Sequence, residues 1–577
     1  MSMDLLELAI ILGFVVLTTP ILGAYMARVF TGERTLLSPV LAPVERLWCR
    51  LLRTSPDRGH DWKEYAKATV AFSLLSWLVL YVILRTQTLH PWNPQDFHSA
   101  PWDATFNTVS SFVTNTNWQY YGGETTMTYF SQMAGLALQN FVSAAVGIAV
   151  AVALIRGLAN RSGGHHIGNF WVDLFRTCFY VLLPISFLAA LVLISQGVLQ
   201  TLGGYVGIDG VGGFAQTLAR GPVASQEAIK ELGTNGGGFF NVNSSMPFEN
   251  ANGLTNALCI WLILAIPAAL TSTYGRLVGN RRQGWMIFWV MGLLFLASVA
   301  IVFFAERHGT PAQQWAGITG QNMEGKEVRF GTGGSALWAA VTTVTSCGAV
   351  NAAMESLTGI GSLSPFGGLS MSEVVFGGVG SGLYGMLVFA LLAVFIGGLM
   401  VGRTPEFLGK KVEAREMKLA TLSILVTPLT ALIIAGVAFG TDYGAASIFA
   451  AGKPQGFSET LYAYMSQANN NGSAFAGYTG FVQPNAGSLG SYGITFADLA
   501  GGFAMLFARF LPMLLVLAIA GSLVKKRSIP PSAGTMRTDT PTFGVLLGGT
   551  VLLVGALTFV PTLLLGPLAQ GLTDQLF

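Results

Sequence analysis

Apolar residues run in ten stretches of about twenty residues or more, at roughly 5–30, 68–88, 127–155, 172–197, 254–275, 285–305, 372–401, 417–440, 499–523 and 543–565. Each is long enough to cross a hydrocarbon layer of about 30 Å as an α-helix. The pattern predicts an all-α polytopic membrane protein of about ten transmembrane helices. The polar intervals between them are of two kinds. Four are long and rich in Asn, Gly, Ser and Thr, covering 103–119, 222–240, 333–350 and 456–475; the alternate set is short and basic.

Each long interval holds about ten residues that could form one short helix, as in 225–232, followed by a polar turn. The turns are Thr114-Asn115-Thr116-Asn117, Thr234-Asn235-Gly236-Gly237, Thr345-Ser346-Cys347-Gly348 and Asn469-Asn470-Asn471-Gly472. Aligned in columns, Asn117, Gly236, Gly348 and Gly472 share one level, where φ > 0 is expected because Gly reaches that region freely and Asn is among the best substitutes. The level before it holds Thr116, Asn235, Cys347 and Asn471. The organisation is four pseudo-repeats of helix, re-entrant pore loop, helix, with one extra helix at each end. The units are 1–66 (first helix and basic loop), 67–170, 171–283, 284–416, 417–537 (the four repeats) and 538–577 (last helix).

Irregular backbone at membrane depth is tolerated where it is buried in protein or lines a wet cavity. Four such turns around one axis would ring a central selectivity filter, their carbonyls replacing the hydration shell of a monovalent cation. The turns carry no carboxylate, which argues against a divalent cation. The short helices would aim negative C-terminal dipoles at the same point. Taken singly, each turn also reads as a plain surface turn; its recurrence at four equivalent places favours the ring.

Composition narrows the class further. Only 10% of the 577 residues are charged and 52% are hydrophobic, against about 25% charged in soluble proteins. The net charge of +3 supplies no large basic surface for a phosphate backbone, so nucleic acid is not an expected partner. Basic residues are unevenly placed: the connections after odd-numbered spans hold 21 of 31, against seven on the other side. By the positive-inside rule the former are cytoplasmic and both termini lie outside. Polybasic clusters such as Arg276/Arg281/Arg282 then face anionic membrane lipids or a partner subunit. Residues 1–9 are acidic and lack a small-residue cleavage site, and read as part of a retained first span. Cys49, Cys178, Cys259 and Cys347 are far apart and show no disulfide or metal-ligand spacing. His165 and His166 read as solvated loop residues.

The strings VTNTNWQ (Val113–Gln119), TNGGGFFNVNSS (Thr234–Ser245), TSCGAVNA (Thr345–Ala352) and ANNNGSAFAG (Ala468–Gly477) resemble the potassium-binding A subunit of the Kdp-type potassium-transporting ATPases. The inner loop GRTPEFLGKK (Gly402–Lys411) is similar too, so the resemblance covers essentially the whole chain. It implies a channel-like fold that binds potassium ion from outside and delivers it through an intramembrane tunnel to a P-type ATPase subunit, KdpB, with KdpC and the small KdpF completing the complex in a bacterial inner membrane. The residues it implies for the filter are Val113, Thr114, Asn115, Thr116, Asn117, Thr234, Asn235, Gly236, Thr345, Ser346, Cys347, Gly348, Asn469, Asn470, Asn471 and Gly472. The chain is then no enzyme by itself, and it contains neither a GxxxxGK[ST] phosphate loop nor the Asp-Lys-Thr-Gly-Thr phosphorylation sequence. An autonomous potassium channel or an ion-gradient-driven transporter of the same superfamily is the alternative.

Four further places belong to the ion path or gate. Arg509 falls inside the ninth span, where a cation costs about 2.5–3.5 kcal/mol on insertion scales; the resemblance puts it below the filter as a block to direct passage, while snorkelling to an interface is the plainer reading. Gly378 and Gly380 lie in the glycine-rich run 377–382 of the seventh span, which either breaks the helix into an intramembrane loop or packs closely against a neighbour. Glu373 just before it faces the ion route or the outer water. The resemblance implies that Gln119 affects potassium handling; bracing the filter from behind by hydrogen bonds is the alternative reading of the residue.

Overall fold

In a computed structural model of the chain, the structure describes residues 2–119, 121–317, 319–372, 374–400, 402, 404–450, 453–478, 490–530 and 535–572. Among these, ten helices are long and apolar enough to span a membrane: Leu5–Thr31, Trp62–Arg85, Ser131–Ala159, Phe170–Ser195, Gly253–Leu277, Arg281–Trp315, Ser381–Met400, Ala414–Gly440, Thr495–Leu523 and Pro541–Leu572. Local chemistry sets several of their starts. Asp61 opens the second span with a capping box, accepting from the Lys63 and Glu64 amides while Glu64 accepts from its own N–H. Asn252 and Thr255 do the same for the fifth.

The seventh span differs from its expected bounds of 372–401: its helix begins at Ser381, and a separate short helix, Gly359–Ser370, precedes it. The glycine-rich run therefore forms a loop ahead of the helix. Gly377 and Gly380 take φ of 68° and 90°, which a helix excludes and glycine allows. Two small antiparallel hairpins interrupt the helical pattern, Val206–Asp209 with Ala215–Leu218 between the fourth and fifth spans, and Glu406–Phe407 with Lys410–Lys411 between the seventh and eighth.

Each of the four long intervals contains its short helix: Trp102–Val113, Val223–Leu232, Gly331–Val344 and Pro454–Ala468. Burial then sorts the spans into two shells. In every repeat the span after the short helix is more buried than the one before it, 83% against 22%, 72% against 39%, 67% against 50% and 61% against 39%. The third, fifth, seventh and ninth spans thus form an inner ring around the turns. The second, fourth, sixth and eighth stand outside it, and the first and tenth, at 17% and 33%, are peripheral. Small residues bring the inner shell together: a Cβ on Gly157 of the third span would lie 2.8 Å from the Ala520 carbonyl of the ninth.

Candidate functional site

The four short helices end at Val113, Leu232, Val344 and Ala468 and run straight into the polar turns through the caps Thr114, Gly233, Thr345 and Asn469. The turns then repeat one hydrogen bond: the N–H of Thr116, Asn235, Cys347 and Asn471 donates to the carbonyl five residues back, on Ser111, Lys230, Thr342 and Ser466, at 2.9, 2.8, 2.9 and 2.8 Å. The backbone repeats as well. Positive φ occurs at Asn115 and Asn117, Thr234 and Gly236, Ser346 and Gly348, and Asn470 and Gly472. A residue of negative φ between two of positive φ swings successive carbonyls to one side, where an ordinary strand alternates them. The columns expected from the sequence are the columns of the structure.

The turns close in cyclic order. A Cβ on Gly236 would overlap the Cys347 carbonyl, one on Gly348 the Asn471 carbonyl, and one on Gly472 the Thr116 carbonyl; Gly237 abuts the Asn117 side chain. Side chains latch neighbouring turns. Asn115 Nδ2 donates to the carbonyls of Gly233 and Thr234, Ser346 Oγ to those of Asn469 and Asn470, and Asn470 Nδ2 to Thr116 Oγ1. Among the described residues, none donates to the carbonyls of Thr116, Asn235, Cys347 or Asn471. Buried carbonyls without a donor are costly unless something positive meets them, and a ring of them suits a dehydrated monovalent cation.

Two quadrants depart from fourfold symmetry. Asn117, standing where the others carry Gly, is tied outward by Nδ2 to Asn140 Oδ1 of the third span at 2.7 Å. The Cys347 thiol turns away from the ring toward Glu231 Oε2 at 3.5 Å, leaving its carbonyl beside Gly236. Val113 is the last helical residue before the first turn and is buried there. Gln119 pairs with the Gly238 backbone in both directions, accepting at 3.1 Å and donating at 3.3 Å, so it braces the first turn against the segment leaving the second.

Outside the ring opens a vestibule of about 660 Å³, lined among others by Asn117, Gln119, Gly236, Asn243, Gly348, Lys326 and Gly472. Below it lies the loop 374–380. The Val379 N–H donates to Thr234 Oγ1, Gly378 sits under Thr234 and Ser346, and Gly380 packs on the Gly147 carbonyl. Arg509, 4% exposed, reaches the same level, its Nη2 3.1 Å from where a Cβ on Gly147 would be. A cavity of about 60 Å³ is lined among others by Asn469, Asn470, Arg509, Tyr384, Phe389 and, from the eighth span, Ser423 and Thr427. Those last two are half-buried. Glu373 lies outside the described residues.

Sequence reading missed a buried charge cluster behind the second turn. Lys230, Glu227, Glu231 and Glu249 are each 1% exposed or less. Lys230 and Glu231 sit within the 225–232 run that reads as an ordinary amphipathic helix, and the signal was present only as three charges in a helix of a membrane-embedded loop. Glu227, Glu231 and Cys259 also bring three metal-ligand atoms within 4.8 Å of one another, but the Lys230 ammonium already stands 2.7 Å from Glu227 Oε2. His165 and His166 are exposed, and all four cysteines are free.

A family model described as potassium-transporting ATPase A subunit matches residues 9–572. The potassium-transporting ATPase potassium-binding subunit of Mesorhizobium japonicum is 51% identical over 567 residues, 98% of each chain. That of Methylobacterium radiotolerans is 53% identical over 551 residues, 96% of this chain and 94% of its own. That of Sorangium cellulosum is 50% identical over 584 residues, 98% of each. Among solved structures, the potassium transporter TrkH from Vibrio parahaemolyticus overlaps with a TM-score of 0.49 at 14% identity, covering 90% of this chain and 98% of that one. Matched by that family model over residues 9–572 and by relatives about half identical over nearly the full length of both chains, the chain belongs to the potassium-transporting ATPase A subunit family.

Proposed function

We propose that the chain is the potassium-binding and translocating subunit of an ATP-driven potassium uptake complex in a bacterial inner membrane, with both termini outside. Potassium ion enters the vestibule, sheds its water in the ring formed by the four turns, and leaves sideways through the cavity beneath to a P-type ATPase subunit. The observation that carries this reading is the fourfold recurrence of one backbone pattern, with the same alternating φ and the same N–H···O bond in every turn. A buried Arg509 under the ring, and a cavity there that Ser423 and Thr427 of the eighth span help to line, support lateral delivery over straight passage.

The partners in this reading are KdpB, which hydrolyses ATP, together with KdpC and KdpF; the chain itself does no catalysis. Anionic lipid is a further partner, supported by an apolar groove between the sixth and tenth spans that ends at the exposed Arg281 and Arg282.

The test is potassium-stimulated ATP hydrolysis by the detergent-purified complex captured through this chain, comparing wild type with Gly236→Asp. Copurification of an ATPase subunit and a much higher half-stimulating potassium concentration in the variant support the reading. A chain that purifies alone and conducts potassium passively in liposomes overturns it in favour of an autonomous channel.

A further inference from the structure

Three of the four seams in the ring are latched by a turn side chain: Asn115 holds the first turn to the second, Ser346 the third to the fourth, and Asn470 the fourth to the first. At the seam between the second and third turns the equivalent residue is Thr234, and its hydroxyl is engaged below the ring with the Val379 amide. Another group bridges this seam. Asn243, held at φ 57°, donates through Nδ2 to the Gly236 carbonyl of the second turn and accepts through Oδ1 from Val350 N, just after the third turn, at 3.3 Å.

Lys230 decides which way that amide faces. Its ammonium donates to Asn243 Oδ1 at 2.9 Å and to Ser244 Oγ at 3.1 Å, and pairs with Glu227 Oε2 and Glu249 Oε2, each at 2.7 Å. An amide whose oxygen meets an ammonium presents its NH₂ on the other side, here to the Gly236 carbonyl. The carboxylates extend the brace. Glu249 accepts from Phe240 N at 2.7 Å beyond the second turn, and Glu231 meets the Cys347 thiol of the third. Among the described residues, no side chain donates to the backbone carbonyls of Asn117, Gly348 or Gly472, the same level in the other three turns.

We propose that Lys230 and Asn243 are the latch of the second-to-third seam and, by fixing the Gly236 carbonyl, a determinant of the ring's ion selectivity. Lys230 is a tethered cation that positions Asn243; Asn243 sets how far the Gly236 carbonyl can move toward an ion. Among the described residues, Gly236 is the one carbonyl at this level that a side chain holds, so releasing it lets all four oxygens at that level adjust to an ion of other radius. The inference rests on the filter reading above and deepens it.

The experiment measures cation-stimulated ATP hydrolysis by the whole complex with potassium and with rubidium, for wild type and Asn243→Asp. The aspartate keeps the acceptor facing Lys230 and Val350 but puts an oxygen where the donor was. The ratio of half-stimulating rubidium to half-stimulating potassium is expected to fall about tenfold. Gly157→Ala, which strains packing far from the ring, is expected to lower thermal stability without moving that ratio. Asn243→Ser, which removes the amide, carries the same expectation and serves if the aspartate variant does not assemble. An unchanged ratio in the assembled Asn243 variant, beside a normal potassium response in wild type, overturns the latch alone. Absence of any potassium response in wild type overturns the filter reading and the latch with it.

Discussion

Thr234 Oγ1 accepts a hydrogen bond from the Val379 N–H at 2.9 Å, so the second turn of the ring stands on the glycine-rich loop below it. Both groups are buried, and removing the acceptor leaves an amide with nothing to bond, at a cost of about 1–3 kcal/mol. Thr234→Val is therefore expected to lower the thermal unfolding midpoint in detergent by several degrees, while Thr234→Ser, which keeps the hydroxyl, stays near wild type.

Gly348 and Cys347 are adjacent in the third turn but are expected to respond oppositely. A methyl on Gly348, at φ 86°, overlaps the Asn471 carbonyl, so Gly348→Ala should raise the half-stimulating potassium concentration by about tenfold or more. Cys347→Ser, whose side chain faces Glu231 and not the ring, should leave it within about threefold of wild type. Titrating potassium against ATP hydrolysis checks both.

Arg509 is buried under the ring and forms no ion pair with any described residue. A fixed positive charge there repels a cation heading straight down. Arg509→Gln is expected to raise passive rubidium flux in proteoliposomes without ATP, with wild type as the tight control. Equal leak in the two would remove the block from the mechanism.

Lys410 supplies a pH dependence at the far end of the inner ring of spans from the turns. In the hairpin between the seventh and eighth spans, its amine donates to the carbonyls of Gly157 and Leu523, the last turns of the third and ninth spans, at 2.8 and 2.7 Å. Burial, and then the charge of Lys526, hold its pKa down at about 8 from 10.5. Below pH 8 the group is protonated folded and unfolded alike. Between 8 and 10.5 the unfolded chain binds the extra proton, so stability rises with pH through that window. Thermal unfolding of wild type should show this rise relative to Lys410→Met, whose profile lacks it.

Much of this protein was written in its sequence. Ten apolar runs of membrane-spanning length predicted ten spans because the bilayer forces backbone polar groups to pair within each segment, making length and apolarity decisive locally. The columns Thr116/Asn235/Cys347/Asn471 and Asn117/Gly236/Gly348/Gly472 were legible for a similar reason: a positive φ restricts which residue can stand there. The start of the seventh helix at Ser381 was not, because an apolar run reads alike whether it is helix or buried loop. Only the tertiary structure decided how the turns hold one another. The latches from Asn115, Ser346 and Asn470, the outward turn of the Cys347 thiol, and the Lys230 cluster join residues far apart along the chain. A pairing between distant groups leaves no periodicity in the sequence; it exists once the inner spans have closed and water has gone, when each buried charge and amide must find a partner.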